Sequence, residues 1–204
     1  MARGLLIAFE GLDQSGKQTQ AEGLQVRLTA AGRDARLLSF PDYDTPIGAE
    51  IGRALRGERD FGPDVMQLLY VANRYEWKNE IIREKVAGAI LICDRYVASS
   101  IAYGEAHGVD PAWLLEIQRP LPQPDLTVLL DIPPSVSAER KTKDRDKYEQ
   151  DLSLLGRVRE SYLRQAEAGG WLRLAADRDR DEIAGDVWAA VQARLQSGPG
   201  PVHA

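Results

Sequence analysis

The chain has 204 residues, 44% of them hydrophobic and 28% charged, with a formal net charge of −5. That balance suits one globular domain. It argues against bulk nucleic-acid binding, while one cysteine excludes an internal disulfide framework and two histidines exclude a His-rich metal site. No apolar run approaches the ~20 residues that cross a bilayer. Residues 1–9 lack the charged-then-apolar pattern of a secretory leader, so the expectation is a cytoplasmic protein with neither membrane nor nucleic acid as partner.

Short apolar runs alternate with amphipathic stretches. The first, Leu5–Phe9, is almost continuously apolar, as a buried parallel strand should be. It runs into Gly11-Leu12-Asp13-Gln14-Ser15-Gly16-Lys17. A helix then starts near Lys17, with Ala21, Leu24 and Leu28 on one face and Gly32 at its end. Glycines between a strand and a helix let backbone N–H groups turn inward around phosphate oxygens. The helix N-terminus adds favourable partial charge, and Lys17 would reach the β- and γ-phosphates of a nucleotide. The competing reading is a Gly-rich turn beside a solvated lysine. Position 18 departs from the Walker A pattern: where Ser or Thr offers Mg²⁺ a hydroxyl, the chain has Gln18, followed by Thr19. The cradle of residues 11–19 survives this change. The metal then leans on ATP oxygens, waters and carboxylates, with Asp13 a candidate.

Ala35–Phe40 reads as a second strand. Ile47, Ile51 and Leu55 then recur at helical spacing, and Val65, Leu68, Leu69, Ala72, Ile81 and Ile82 stripe a long third helix. Ala89–Asp94 is a third strand. Asp110-Pro111 reads as N-cap and first helical residue. Leu126–Asp131 is a fourth strand, a charged helix begins at Ser135, and Trp171–Leu174 is a fifth strand. Ile183, Val187, Val191 and Leu195 stripe the last helix. The pattern predicts an α/β fold: a five-stranded parallel sheet with helices on both faces, forming one unit over residues 1–196. Residues 197–204, rich in Gly and Pro, read as a disordered tail. Cys93 lies in an apolar run and reads as core, and the four tryptophans read as core or interface.

In open α/β sheets, ligands bind beyond the C-terminal ends of strands. There the chain places Phe40-Pro41-Asp42-Tyr43-Asp44-Thr45-Pro46-Ile47-Gly48 and Asp94-Arg95-Tyr96-Val97-Ala98-Ser99-Ser100-Ile101-Ala102-Tyr103, with Pro122-Gln123-Pro124-Asp125 leading into the fourth strand. Asp94 could orient a metal-bound water, and Arg95 could clamp a phosphate with two hydrogen bonds. An N-K-x-D guanine-reading sequence is absent, which disfavours a GTPase.

Together these runs resemble the thymidylate kinase family, over residues 6 to about 151. The resemblance implies phosphorylation of dTMP with ATP and Mg²⁺ by a homodimer, formed through residues 64–86 and the helix after Tyr96. It puts Asp13 near the transferred group, Phe40 on the thymine ring, Arg74 at a thymine carbonyl and Arg95 on the acceptor phosphate. It puts Ser99 and Ser100 beside phosphate and base, and Tyr103 against the sugar. Tyr43 stands where many members carry arginine, so a phenol would donate to the acceptor phosphate without charge. A cationic lid, about residues 140–149, closes over ATP in such enzymes. Because Gln14 and Ser15 are not basic, Arg145 or Arg140 would supply the catalytic cation, with Tyr148 near the nucleoside and Glu149 near the metal. A solvated helix face is the plainer reading of that charge run. A kinase for another base, or a nucleotide-binding protein with decayed catalysis, also remains open on the sequence.

Overall fold

A computed structural model describes residues 4–140 and 151–196. Arg145, Tyr148, Glu149 and the tail 197–204 lie outside those residues. The sheet has the order β2-β3-β1-β4-β5, with β1 Leu5–Glu10, β2 Ala35–Ser39, β3 Ile90–Asp94, β4 Leu126–Asp131 and β5 Leu172–Ala175. All four pairings are parallel, with Ile7 opposite Ile92 in β3 and opposite Leu126 in β4. The sequence reading of the fold therefore holds. The order also explains the apolar runs. β1, β3 and β4 are interior strands buried along nearly their whole length, whereas edge strands β2 and β5 turn Arg36 and Arg173 outward.

The helices are α1 Lys17–Ala30, α2 Pro46–Leu55, α3 Pro63–Ala87, α4 Val97–Ala106, α5 Pro111–Gln118, α6 Pro134–Arg140, α7 Leu152–Gly169 and α8 Arg180–Gln196. Strand alternation sorts them. Leu5, Ile7 and Phe9 join a core with Leu24 and Leu28 of α1 and Val187 and Val191 of α8. Leu6 and Ala8 point the other way, into a cluster with Cys93, Phe40, Tyr96 and Ile81 of α3. α4 packs between α3 and α7.

Strand ends shift by one residue from the sequence reading, for backbone reasons. Ala89 N still bonds Glu84 O and Trp171 N still bonds Ala166 O, so each closes a helix before its strand begins. The pattern reading assigns no helix to α7, although Asp151 caps it through Leu154 N and Leu154, Leu155, Val158, Tyr162 and Ala166 form its buried face. That i, i+4 spacing was the available signal.

Candidate active site

The loop after β1 is shaped by positive φ at Gly11 (140°), Gln14 (60°) and Gly16 (90°). Glycine is required at position 11 on two counts. A side chain would be strained at that φ, and a Cβ would lie 2.4 Å from the Leu130 carbonyl oxygen of β4. Gly16 is the N-cap of α1 and brings no side-chain cap, which leaves first-turn N–H groups for an anion. Lys17 is buried, and its Nζ donates to Leu12 O at 2.7 Å. Burial, and next the Arg95 charge, pull its pKa down to about 8 against the opposing influence of Asp13. Gln18 and Thr19 are exposed, and the Gln18 amide donates to Glu22 Oε1 at 2.8 Å.

α6 braces this loop. Ser137 Oγ donates to Asp13 O at 2.8 Å, while Arg140 donates to Gln14 O at 3.2 Å and Ala176 O at 3.1 Å. Arg140 thus ties the loop to the chain just beyond β5.

Arg95 follows β3 with φ at 64°, a left-handed conformation uncommon for a side-chain-bearing residue and concentrated at functional sites. The turn is pinned by Arg95 N to Phe9 O at 2.9 Å and Tyr96 N to Glu10 Oε1 at 2.9 Å. The guanidinium then donates to Asp13 Oδ1 at 2.6 Å, Gly11 O at 3.1 Å, the Tyr162 hydroxyl at 3.2 Å, Ser99 Oγ at 3.3 Å and the Tyr103 hydroxyl at 3.4 Å. Behind it, the fully buried Glu10 accepts from Ser99 Oγ at 2.6 Å and from the Tyr162 hydroxyl at 3.2 Å. The Tyr103 hydroxyl donates to Asp13 Oδ2 at 3.1 Å.

Burial alone would raise the Asp13 pKa, but the charges of Arg95 and Lys17 outweigh it and hold the carboxyl well below the usual carboxylate range. Burial raises the Tyr103 phenol far above its ordinary value despite the neighbouring Arg95. Around neutral pH the group is therefore an anion held against a cation by phenols that keep their protons.

The loop after β2 is held from α3. Asn73 accepts from Asp42 N at 2.8 Å and donates to Asp42 O, Thr45 Oγ1 and Glu76. Thr45 caps α2 through Gly48 N, and a Cβ on Gly48 would fall 1.7 Å from Asp42 O. In the Phe40-to-Gly48 run, Thr45 and Gly48 therefore serve the backbone. Phe40 and Tyr43 line a cavity.

That cavity brings the expected residues together. Asp13, Phe40, Tyr43, Arg74, Arg95, Ser99, Ser100 and Tyr103 all line it. Arg74 is buried, and it donates to Tyr70 O at 3.1 Å and Ser100 Oγ at 2.7 Å, with its side-chain carbon Cζ 5.9 Å from the Phe40 ring centre. Gln67 and Tyr70, which the sequence analysis does not single out, are lining residues too. Sequence reasoning also missed Glu10 and Tyr162, which stand behind Arg95.

Among the described residues, no three His, Cys, Asp or Glu side chains gather into a metal cage. Asp94 Oδ1 is buried with no hydrogen-bond partner among those residues, while both Asp13 oxygens are engaged. One spare carboxylate oxygen fits a hard cation that keeps its waters and binds mainly through a nucleotide, as Mg²⁺ does.

A family model described as thymidylate kinase matches residues 9–187. The chain belongs to the thymidylate kinase family. The thymidylate kinase of Caenorhabditis elegans is 35% identical over 91% of this chain and 89% of its own. That of Deinococcus radiodurans is 35% identical over 95% and 99%. A solved structure of thymidylate kinase from Candida albicans superposes with a TM-score of 0.81 at 28% identity, covering 96% of this chain and 95% of that one. Like these thymidylate kinases, the chain carries an ATP-dependent nucleoside monophosphate kinase fold. Among the described residues no helix is long and apolar enough to cross a membrane.

Proposed function

We propose that the chain transfers the γ-phosphoryl group of ATP to the 5′-phosphate of dTMP, giving dTDP and ADP. The observation that carries this reading is the placement of Arg95. It touches Asp13 and Gly11 of the phosphate loop and lines the cavity that also holds Arg74 and Phe40. A nucleotide seated on Phe40 and Tyr70 would thus present its phosphate to Arg95, facing the γ-phosphate on Lys17. The acceptor is already an anion, so positioning and charge neutralisation suffice without a strong base. Arg95 fixes the nucleophilic oxygen. Tyr43 donates from the cavity mouth, and Tyr103 limits space beside the sugar. Asp94 Oδ1 would hold a water of the Mg²⁺ ion, which supplies countercharge to the phosphates when bound. The resemblance to the family would put Tyr148 near the nucleoside and Glu149 near the metal.

Of the two cations named for the finger role, Arg145 is the stronger assignment, because Arg140 is engaged by two backbone carbonyls. The deciding experiment is ADP release against a panel of nucleoside monophosphates. Turnover of dTMP should far exceed that of dCMP, with purines near background; comparable rates for dTMP and dCMP would overturn the assignment.

The homodimer is proposed through α3 alone. Val65, Leu68, Tyr75, Ile82 and Val86 are exposed along this helix at spacings of 3, 7, 7 and 4, and Leu115 of α5 is exposed nearby. α4 is enclosed by α3, α5 and α7 and has little face to offer. Light scattering of the wild type and of a Leu68→Glu, Ile82→Glu variant tests this. A cytoplasmic location is proposed with this reading.

A further inference from the structure

Gln67 lies on α3, is 4% exposed, and lines the cavity. Its Oε1 is fully enclosed without a hydrogen-bond partner among the described residues. Buried amides are rarely left unpaired, because desolvation is then uncompensated. Two readings compete: a trapped water satisfies the group, or a ligand does.

The surroundings favour a ligand. Gln67, Tyr70 and Arg74 follow i, i+3, i+7 spacing, so they form one stripe of α3 along the cavity. Arg74 Nε on the same stripe is also buried and has no partner among the described residues. The Gln67 stem is held in place across the helix pair: a Cβ added to Gly104 of α4 would lie 3.2 Å from Gln67 Cγ and 2.4 Å from Leu114 Cδ1. Glycine at 104 is what lets this side chain lie there. Two unsatisfied polar groups thus share one stripe, beside aromatic faces.

The chemistry of the two groups is complementary. A guanidinium only donates, whereas an amide both donates and accepts. The exposed edge of thymine reads acceptor, donor, acceptor: O4, N3–H, O2. Arg74 answers a carbonyl and has nothing to offer N3–H. Ser100 Oγ already accepts from Arg74.

We propose that the Gln67 amide is a specificity-determining group whose carbonyl accepts the N3–H of the bound pyrimidine. This rests on the reading of the cavity as the dTMP site. It adds a second base-reading residue beside Arg74. Cytosine has no N3 proton to give and sets an amino group before the guanidinium. Discrimination against cytosine therefore depends on two residues.

The experiment compares dTMP with N3-methyl-dTMP in wild type, Gln67→Met and Gln67→Leu. Losing the acceptor should reduce kcat/KM for dTMP about tenfold or more, mainly through KM, as for binding shared by ground and transition states. N3-methyl-dTMP should barely respond, so the preference for dTMP shrinks by about the same factor. A preference unchanged in the variants would overturn the proposal, since simple loss of packing would weaken both substrates alike. Should the variants not fold, the wild type still decides. The Gln67 side-chain amide resonances should shift on adding dTMP and stay in place with N3-methyl-dTMP, and the same response to both would overturn it. A wild type that does not phosphorylate dTMP removes the functional reading and this proposal together. A wild type that does, with no change in preference, removes only the proposal.

Discussion

Arg95 and Arg74 are both buried arginines on the same cavity, yet they are satisfied very differently. Arg95 donates to five acceptors, and the groups behind it are themselves tied to Glu10. Among the described residues, Arg74 has two hydrogen-bond partners, an unpartnered Nε, and a neighbour in Gln67 whose Oε1 is unpartnered too. The difference follows the two tasks of the site. Groups that meet charge during phosphoryl transfer work best when their dipoles are fixed beforehand, because nothing then has to reorganise. Groups that read a base discriminate best when the right ligand completes their hydrogen bonds and the wrong one leaves them open. The phosphate side is built closed; the base side is built to be completed.

The largest effect that could break this contrast is at Arg95. Arg95→Ala should lower kcat/KM for dTMP by about 10³ or more, as expected for a lost preorganised cation, while ATP still binds. Steady-state kinetics beside an ATP titration would show it, and a loss under tenfold would mean that the acceptor phosphate sits elsewhere.

The lid gives a comparison within the phosphate side. Arg145→Ala should reduce kcat by about 10³, the usual effect of a missing finger. Arg140→Ala should act mainly on KM for ATP, because it loosens the bond between the loop and the β5 end. Equal effects of both variants on kcat would erase that distinction.

Tyr162→Phe is a milder test. It keeps the ring and deletes the hydroxyl between Glu10, Ser99 and Arg95. About tenfold in kcat/KM for dTMP should be lost, along with roughly 1 kcal/mol of stability for a buried hydrogen bond. On the base side, Ser100→Ala should cost less, because Arg74 already has an open donor; chemical denaturation and kinetics of both variants would rank the two.

The smallest effect concerns Lys17. Its pKa of about 8 in the free protein means that the ammonium is partly neutral above pH 8. Bound phosphates favour the charged form and raise that pKa, so ATP binding should take up a fraction of a proton near pH 8.5. This contribution should vanish below about pH 7, where Lys17 is already charged, and ATP affinity should fall as pH rises through 8. Calorimetry in buffers of different ionisation enthalpy reads the uptake directly; none at pH 8.5 would place Lys17 outside the nucleotide site.

The residues expected on the cavity came from the family resemblance, whereas the amino-acid sequence by itself determined the five strands and the phosphate loop. Those features are written in short-range spacing: apolar runs for interior strands, glycines for positive φ at 11 and 16, Thr45 and Gly48 for a capped helix close to its own loop. Only the tertiary structure decided what holds Arg95 and what waits beside Arg74. Glu10 meets Ser99 from 89 positions away and Tyr162 from 152 away, and contacts at that separation leave no local period to read. The face of α7 was legible in principle, but its buried tyrosine looks like any other core residue until the helix is packed against α4. Gln67 was illegible for a related reason. A polar side chain on a helix reads as solvated unless neighbouring elements close over it, and the closing here is done by Gly104 and Leu114 on two other helices.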